Sequence, residues 1–300
     1  MYGYHMEGSS LEGVILNVDF LKNCGMGKAT GMGKKVIVLG GGNVAFDCAR
    51  SAKRLGAEEI HVACLEAREH MTADEEEIQQ AVEEGIMIHP AQTFERITGT
   101  GHVTGVDFMN VKSFTFDENH RAVIHREENS EHHIEADTVI FAVGQRPDIT
   151  EEAGLALGRG NSIAVRDIET DKATSVDGIF AAGDAIYGTK SVIMAIESGR
   201  EAAAQIDQYL GGNGDISEKL APEQKPDAYI GICEGFGYMQ RKNRCIDSPE
   251  SRCNNFELFD HGICDSDICA EAGRCLQCDL RLQISKPRVW GDYAEGKEEK

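Results

Sequence analysis

Short apolar runs alternate with helical spacing over the first half of this chain. Residues 36–39 (VIVL) form an uninterrupted apolar run, the pattern of a strand buried on both faces, and lead into Gly40-Gly41-Gly42-Asn43-Val44-Ala45 and a helical segment. Residues 59–65 (EIHVACL) predict a second strand. Residues 74–84 predict an acidic helix with Ile78, Ala81 and Val82 on one face, and after Gly85 a third strand spans 86–89 until Pro90 stops it. Strand, helix, strand, helix, strand is the order of a mononucleotide-binding half of a doubly wound sheet. Stretches at 93–97, 103–116 and 122–134, with Gly and Asp/Asn turns between them, predict a meander, and residues 138–143 (TVIFAV) a further buried strand ending at Gly144.

Outside this block the pattern thins. Residues 13–23 carry Val14, Val18 and Leu21 at helical spacing, with Phe20 beside them. Residues 178–184 (GIFAAGD) read as a short strand ending on an acid. Residues 191–210 predict a helix with Val192, Ala195, Ile196 and Ala203 inward. Glycines, prolines and charges at 211–230 read as a linker, and the rest is cysteine-rich, sparsely apolar and closed by the charged GKEEK.

Length and composition narrow the partners more than the fold. Three hundred residues suffice for about two domains. A formal charge of −21 argues against nucleic acid, because holding a phosphate backbone requires clustered Lys and Arg. No apolar run reaches transmembrane length, and MYGYHMEGSS has neither the basic region nor the apolar stretch of a signal peptide. The expectation is a cytoplasmic protein with no transmembrane segment.

The glycine stretch is where chemistry enters. G-x-G-x-x-A between a strand and a helix is a dinucleotide fingerprint in which each small residue has its own physical role. Gly40 permits the tight turn, Gly42 the close approach of a pyrophosphate, and Ala45 the packing of helix on sheet. The pyrophosphate would rest on the N–H groups and positive dipole end of the helix opening at Asn43 and Val44, with Gly41 in the same cradle. Selection of the nucleotide should occur at the end of the second strand, at Glu66 and Arg68. Glu66 could accept from both ribose hydroxyls of NAD(H) and would repel a 2′-phosphate, whereas Arg68 could pair with that phosphate or, as a surface charge, with Glu69 or Asp74. With the acid directly at the strand end, the expectation favours NAD(H) over NADP(H).

Ten cysteines suggest metal ligands or redox groups rather than disulfides. Cys48 and Cys64 fall on the first helix and second strand, where a buried thiol is the plain reading, and they form no CxxC redox pair. Toward the C-terminus, Cys264, Cys269, Cys275 and Cys278 could supply four thiolates, Cys275 and Cys278 as a CxxC knuckle, and His261 could replace one. Spacing alone leaves zinc, an iron–sulfur cluster and free thiols open.

Taken together, GGGNVAFDCAR, REHMTADEEEI, AVGQRPD at 142–148, GIFAAGDAIYG at 178–188 and EAGRCLQCDLRLQI at 271–284 resemble the glutamate synthase small-subunit family. This family of flavin-dependent pyridine-nucleotide oxidoreductases includes the large subunit of NADH-dependent ferredoxin:NADP oxidoreductase. The resemblance covers about residues 10–210 together with the CxxC tail. It implies an α/β architecture: a Rossmann-type nucleotide-binding domain (34–143) inserted in a partial FAD-binding domain, with 1–33 a remnant of the connection, 144–210 the C-terminal half of the FAD-like domain, 211–230 a linker and 231–300 a small cysteine-rich tail. It further implies FAD contacts from Asp184 and Gly183, with Gly144 and Ser191 at the same cofactor. Members resembling NADPH users carry paired arginines where this chain has Leu65 and Glu66.

The family's FAD domain opens with its own strand, glycine turn and helix, and none precedes Gly13 in this sequence. The expectation is therefore half an FAD site, completed by another chain or by further residues of a larger polypeptide, or a flavin that has been lost. The resemblance tilts the tail toward an iron–sulfur cluster, with zinc as the alternative. It also implies redox partner subunits carrying flavin or iron–sulfur clusters, an electron-bifurcating complex being one such assembly. The function expected is an NAD(P)-dependent flavin oxidoreductase module, part of a larger redox complex, in which no side chain serves as acid or base for hydride transfer. A non-catalytic nucleotide-binding subunit without flavin and a glutamate synthase small subunit are the alternatives.

Overall fold

A computed structural model describes residues 6–116, 122–149, 154–217 and 234–276. The chain opens with β1 (Val14–Leu16) and α1 (Asn17–Gly25), then runs through β2 (Lys35–Leu39), α2 (Asn43–Arg54), β3 (Glu59–Ala63), α3 (Glu75–Glu83) and β4 (Met87–His89). β5 (Gln92–Thr100), β6 (His102–Phe116), β7 (Ala122–Arg126) and β8 (His132–Glu135) form an antiparallel excursion, after which β9 (Thr138–Phe141) returns to the first sheet. That sheet is parallel throughout, in the order β1-β9-β2-β3-β4.

The unbroken apolar run of β2 follows from burial on both faces. Val36 and Val38 pack with Ile60, Val62 and Ile140 against Phe20, Phe46, Ala49, Ile78 and Ala81 of the helices. Ile37 and Leu39 join Val139 and Phe141 against Ile97, Val103, Val106 and Phe108 of the excursion. Each such side chain contributes about 1.5–3 kcal/mol when withdrawn from water. The sheet is thus a middle layer, with its carboxyl-terminal edge left for the loops.

Several sequence expectations need correction, among them Val82, which is 50% exposed and not on the buried face of Ile78 and Ala81. Residues 13–23 are not one helix, because Val14–Leu16 pair in parallel with Val139–Phe141 and the helix starts only at Asn17. The spacing of Val14, Val18 and Leu21 runs across that junction by coincidence of two different core contacts. The stretch at 122–134 is two strands, β7 and β8, each pairing with a different part of β6. Residues 178–184 do not form a strand: Phe180 makes only an isolated bridge to Ala173, and the positive φ of Gly178 and Gly183 turns the backbone at both ends.

Beyond the excursion, β10 (Val165–Asp167) and β11 (Asp171–Thr174) make a hairpin, followed by α4 (Asp184–Tyr187) and α5 (Val192–Tyr209). Polar pins hold α5 to the hairpin. The buried Lys172 ammonium donates to the Ile168 carbonyl at 2.7 Å and pairs with Glu201 at 2.9 Å, while its backbone N–H donates to Gln205 Oε1 at 2.7 Å. Burial opposes the ammonium charge, but Glu201 and Tyr187 outweigh it and hold its pKa above the usual value. The inward face of α5 is Ser198 and Ala202. Val192 and Ile196, expected inward, are 75% and 59% exposed, and Ile193 is 78% exposed, because the hairpin reaches only the second half of the helix; Ala203, also expected inward, is exposed because the hairpin meets the Ser198–Ala202 face instead.

The chain divides into two compact units. One contains residues up to Ser217 together with Pro249–Phe256, which carries α6 (Pro249–Arg252). Arg252 enters a buried cluster around Glu84, whose side chain is 0% exposed: Arg252 Nε, Arg50 Nη2 and Arg54 Nη1 all donate to its carboxylate at 2.9 Å. Glu77 and Glu83 add negative charge to the cluster by pairing with Arg50 at 2.6 Å and Arg252 at 2.7 Å. The other unit, Glu218–Ser248 with Glu257–Lys300, contains α7 (Asp265–Ala272), and none of its described residues is buried. Exchanged backbone bonds between Cys245 and the His261–Gly262 pair hold it locally. Among the described residues no helix is long and apolar enough to cross a membrane.

Candidate nucleotide site

The carboxyl ends of β9, β2 and β3 lie side by side, and the glycine loop leaves from the middle one. Gly40 adopts φ +140, and a Cβ there would be driven into the Ala142 carbonyl at the end of β9, so only glycine fits both the turn and the neighbouring strand. Gly42 is the N-cap of α2, with extended backbone (φ −95, ψ 172), no side-chain cap and no acidic residue in the first turn. The positive end of α2 therefore meets no carboxylate from its own first turn, which is the arrangement an anionic ligand needs. A Cβ on Gly42 would meet only Thr72 Oγ1, at 3.4 Å. Ala45 is fully buried between helix and sheet, and Val44 packs at the edge of the same core, so Val44 can serve a ligand only through its backbone.

The segment before α3 is tied to this loop at two points. Ala73 N–H donates to the Gly41 carbonyl at 3.1 Å, and Asp74 N–H donates to Asn43 Oδ1 at 2.7 Å. Asn43 thus positions the start of α3, where Asp74 caps Glu76 N–H at 2.9 Å. The exposed Thr72, held from one side by these bonds, borders the space over Gly42. Sequence reasoning misses it, although a hydroxyl residue just ahead of the helix-capping Asp74 is a usable signal.

Glu66 stands three residues beyond the end of β3, not directly on it. Its Oε2 nevertheless lies 3.2 Å from the position of a Gly41 Cβ, so the carboxylate hangs over the glycine loop. Arg68 pairs with Glu75 at 2.6 Å, on the first turn of α3, rather than with Glu69 or Asp74. Beneath the loop Cys64 is buried, and burial first, then the Glu66 charge, pushes its thiol up to about 12; burial likewise pushes Cys48 up to about 12. Both are inert thiols at neutral pH.

Residues 3–199 match the family of pyridine nucleotide-disulphide oxidoreductases. This chain belongs to that family. Relatives include the beta subunit of the NADP(+)-dependent formate dehydrogenase of Moorella thermoacetica, 31% identical over 91% of this chain and 40% of its own length. The small chain of the NADPH glutamate synthase of Azospirillum brasilense is 32% identical over 72% of this chain and 48% of its own. The chain thus spans less than half the length of either relative. Among solved structures, the thioredoxin reductase of T. acidophilum shares the fold at a TM-score of 0.52 and 22% identity, over 69% of this chain and 61% of that one.

The remaining residues expected at cofactors in this oxidoreductase chain fall in separate places. Gly144 lies three residues beyond the end of β9, the strand that pairs with β2. Gly183, at φ +66, donates its N–H to the buried Ser198 Oγ at 3.1 Å. Asp184 opens α4 instead of ending a strand, is exposed, and accepts from Lys190 N–H through Oδ1 at 3.3 Å, which folds the 184–190 loop around it. Ser191 caps α5, accepting from Met194 N–H at 3.3 Å.

In the tail, Cys264, Cys269 and Cys275 are exposed, and Cys278 lies outside the described residues. Cys264 Sγ sits 3.2 Å from Ser266 Oγ, and His261 Nε2 is engaged by Asp247 Oδ1 at 3.0 Å. Among the described residues no three His, Cys, Asp or Glu side chains come together to hold a metal.

Proposed function

We propose that this chain carries the nicotinamide-nucleotide site, and part of the flavin site, of a larger flavin-dependent oxidoreductase, with NAD(H) preferred over NADP(H). The observation that carries the reading is the Glu66 carboxylate 3.2 Å from the Gly41 Cβ position, over a glycine loop whose helix end no side chain caps. An acid in that place accepts from ribose hydroxyls and repels a 2′-phosphate, while the first N–H groups of α2 receive the pyrophosphate. Both relatives named above carry NADP or NADPH in their names. The preference assigned to this chain rests on its own residues.

Family membership and the 183–191 segment support FAD as the second cofactor. The exposed Asp184 carboxylate has an oxygen to offer a polyhydroxylated chain beside its bond to Lys190, and the Gly183 turn, fixed by Ser198, keeps that carboxylate at the surface. Asp184, Gly183 and Ser191 would hold the flavin. Bound there, FAD would supply the two-electron acceptor for hydride leaving the nicotinamide. This chain's residues align the two rings and favour one nucleotide over the other, and no side chain takes or gives a proton in that step. The exposed Val192, Ile193 and Ile196 beside this segment, with the chain's coverage of less than half of its relatives, support a site completed by further protein that includes redox partners.

Titrating the chain and its co-purified complex with NADH should bleach the flavin absorbance. A bound flavin that stays oxidised in both would overturn the reading. Within it, Glu66→Arg should shift the NADH/NADPH affinity ratio toward NADPH by about 1–3 kcal/mol, the scale of a charged hydrogen bond, measured as dissociation constants of both nucleotides.

A further inference from the structure

The pair of residues that reads the ribose in this site contains opposed charges, and the structure treats them unequally. Glu66 lies over the glycine loop, whereas Arg68 is turned to Glu75, Nη2 to Oε1 at 2.6 Å. Glu75 follows Asp74, whose N–H is bonded to Asn43 of the loop, so the anionic partner of the pair belongs to a helix start that is tied to the loop. A guanidinium recognises a phosphate best through two parallel N–H bonds, and the nitrogen held by Glu75 is one of those such a grip would use. NADPH would have to break the pair to reach Arg68. NADH, with no 2′-phosphate, would leave it intact.

We propose that Glu75 is a specificity-determining residue: by pairing with Arg68 it withholds that guanidinium from a ribose 2′-phosphate and leaves Glu66 to set the preference for NAD(H). This rests on the dinucleotide reading above and adds to it a residue outside the fingerprint. Both partners are partly exposed, at 41% and 73%, so the pair is weak and its effect is tuning rather than exclusion. Of the neighbouring acids, Glu77 is paired with Arg50 at 2.6 Å and Glu76 accepts from Gln80 Nε2 at 3.1 Å, so Glu75 is the one seen to engage Arg68. The signature of the Glu75–Arg68 pair is therefore a change in the ratio of affinities.

Dissociation constants of NADH and NADPH, measured on the full chain for the wild type, Glu75→Gln, Arg68→Ala and the double variant, test this. Glu75→Gln should strengthen NADPH relative to NADH about three- to fivefold, the size of a weak exposed ion pair, and Arg68→Ala should abolish that gain in the double variant. An unchanged ratio in Glu75→Gln overturns the proposal. So does a gain that survives without Arg68, since it would reflect general relief of negative charge. Wild-type chain that binds neither nucleotide would instead overturn the dinucleotide reading, and this proposal with it.

Discussion

Glu84→Gln is expected to remove about 3–5 kcal/mol of stability, a large share of what holds a domain of this size folded. The carboxylate is fully buried and receives hydrogen bonds from Arg50, Arg54 and Arg252. Removing its charge takes from three guanidinium groups the anion they share, while Arg50 and Arg252 keep their pairs with Glu77 and Glu83 at the ends of the cluster. Denaturant unfolding followed by circular dichroism measures the loss, and a change under about 1 kcal/mol would show that the cluster is not a stabilising unit. The pH dependence has a definite sign. Burial raises the Glu84 pKa, but the bonds and charges of Arg54 and Arg50 outweigh it, so the folded pKa lies below the ordinary 4.5. Its contribution is present above that value and is lost as pH falls through the lowered folded pKa. Glu84→Gln should therefore flatten the acid limb of the stability profile.

Gly42→Val should leave the fold standing and weaken nucleotide binding a hundredfold or more, about 2.7 kcal/mol. The backbone at Gly42 is extended and acceptable to a branched residue, and a Cβ would meet only Thr72 Oγ1. The side chain would occupy the space over the helix end where a pyrophosphate must come close. Calorimetric titration with NADH, beside a thermal melt, separates the two effects. Gly40→Val is the contrasting case, because its side chain meets the Ala142 carbonyl and the melt itself should fall. Near wild-type affinity in a folded Gly42→Val chain would place the pyrophosphate elsewhere.

What a pattern of residues can reveal divides by the range of the interaction. The buried strands are plain in the sequence because both faces of β2 and β9 meet apolar layers, leaving no polar position to break the run. The glycine loop is legible because its constraints lie within six consecutive residues. β1 is not, since a three-residue strand has too short a period to stand against the helix that continues from it. The outward face of α5 defeats pattern reading for another reason: apolar spacing gives a helix its sticky side but does not say what covers it, and the hairpin grips Ser198, Ala202 and Gln205 instead. Proximity in sequence pairs Arg68 with Glu69 or Asp74. A 3-10 turn over Arg68–His70 carries it to Glu75, a displacement that only the turn geometry decides.

Arg252 meets Glu84 across 168 residues of chain, which matters for a polypeptide that emerges from the ribosome in order. The strands and helices around the glycine loop can assemble once β9 is out, but the Glu83–Glu84 end of α3 waits for its third guanidinium until most of the chain has been made. Over that interval the nascent domain holds a more acidic, less completely neutralised core, and a chain stopped in the 211–230 stretch would remain in that state permanently. A boundary that looks natural for separating the tail thus cuts the domain it was meant to isolate.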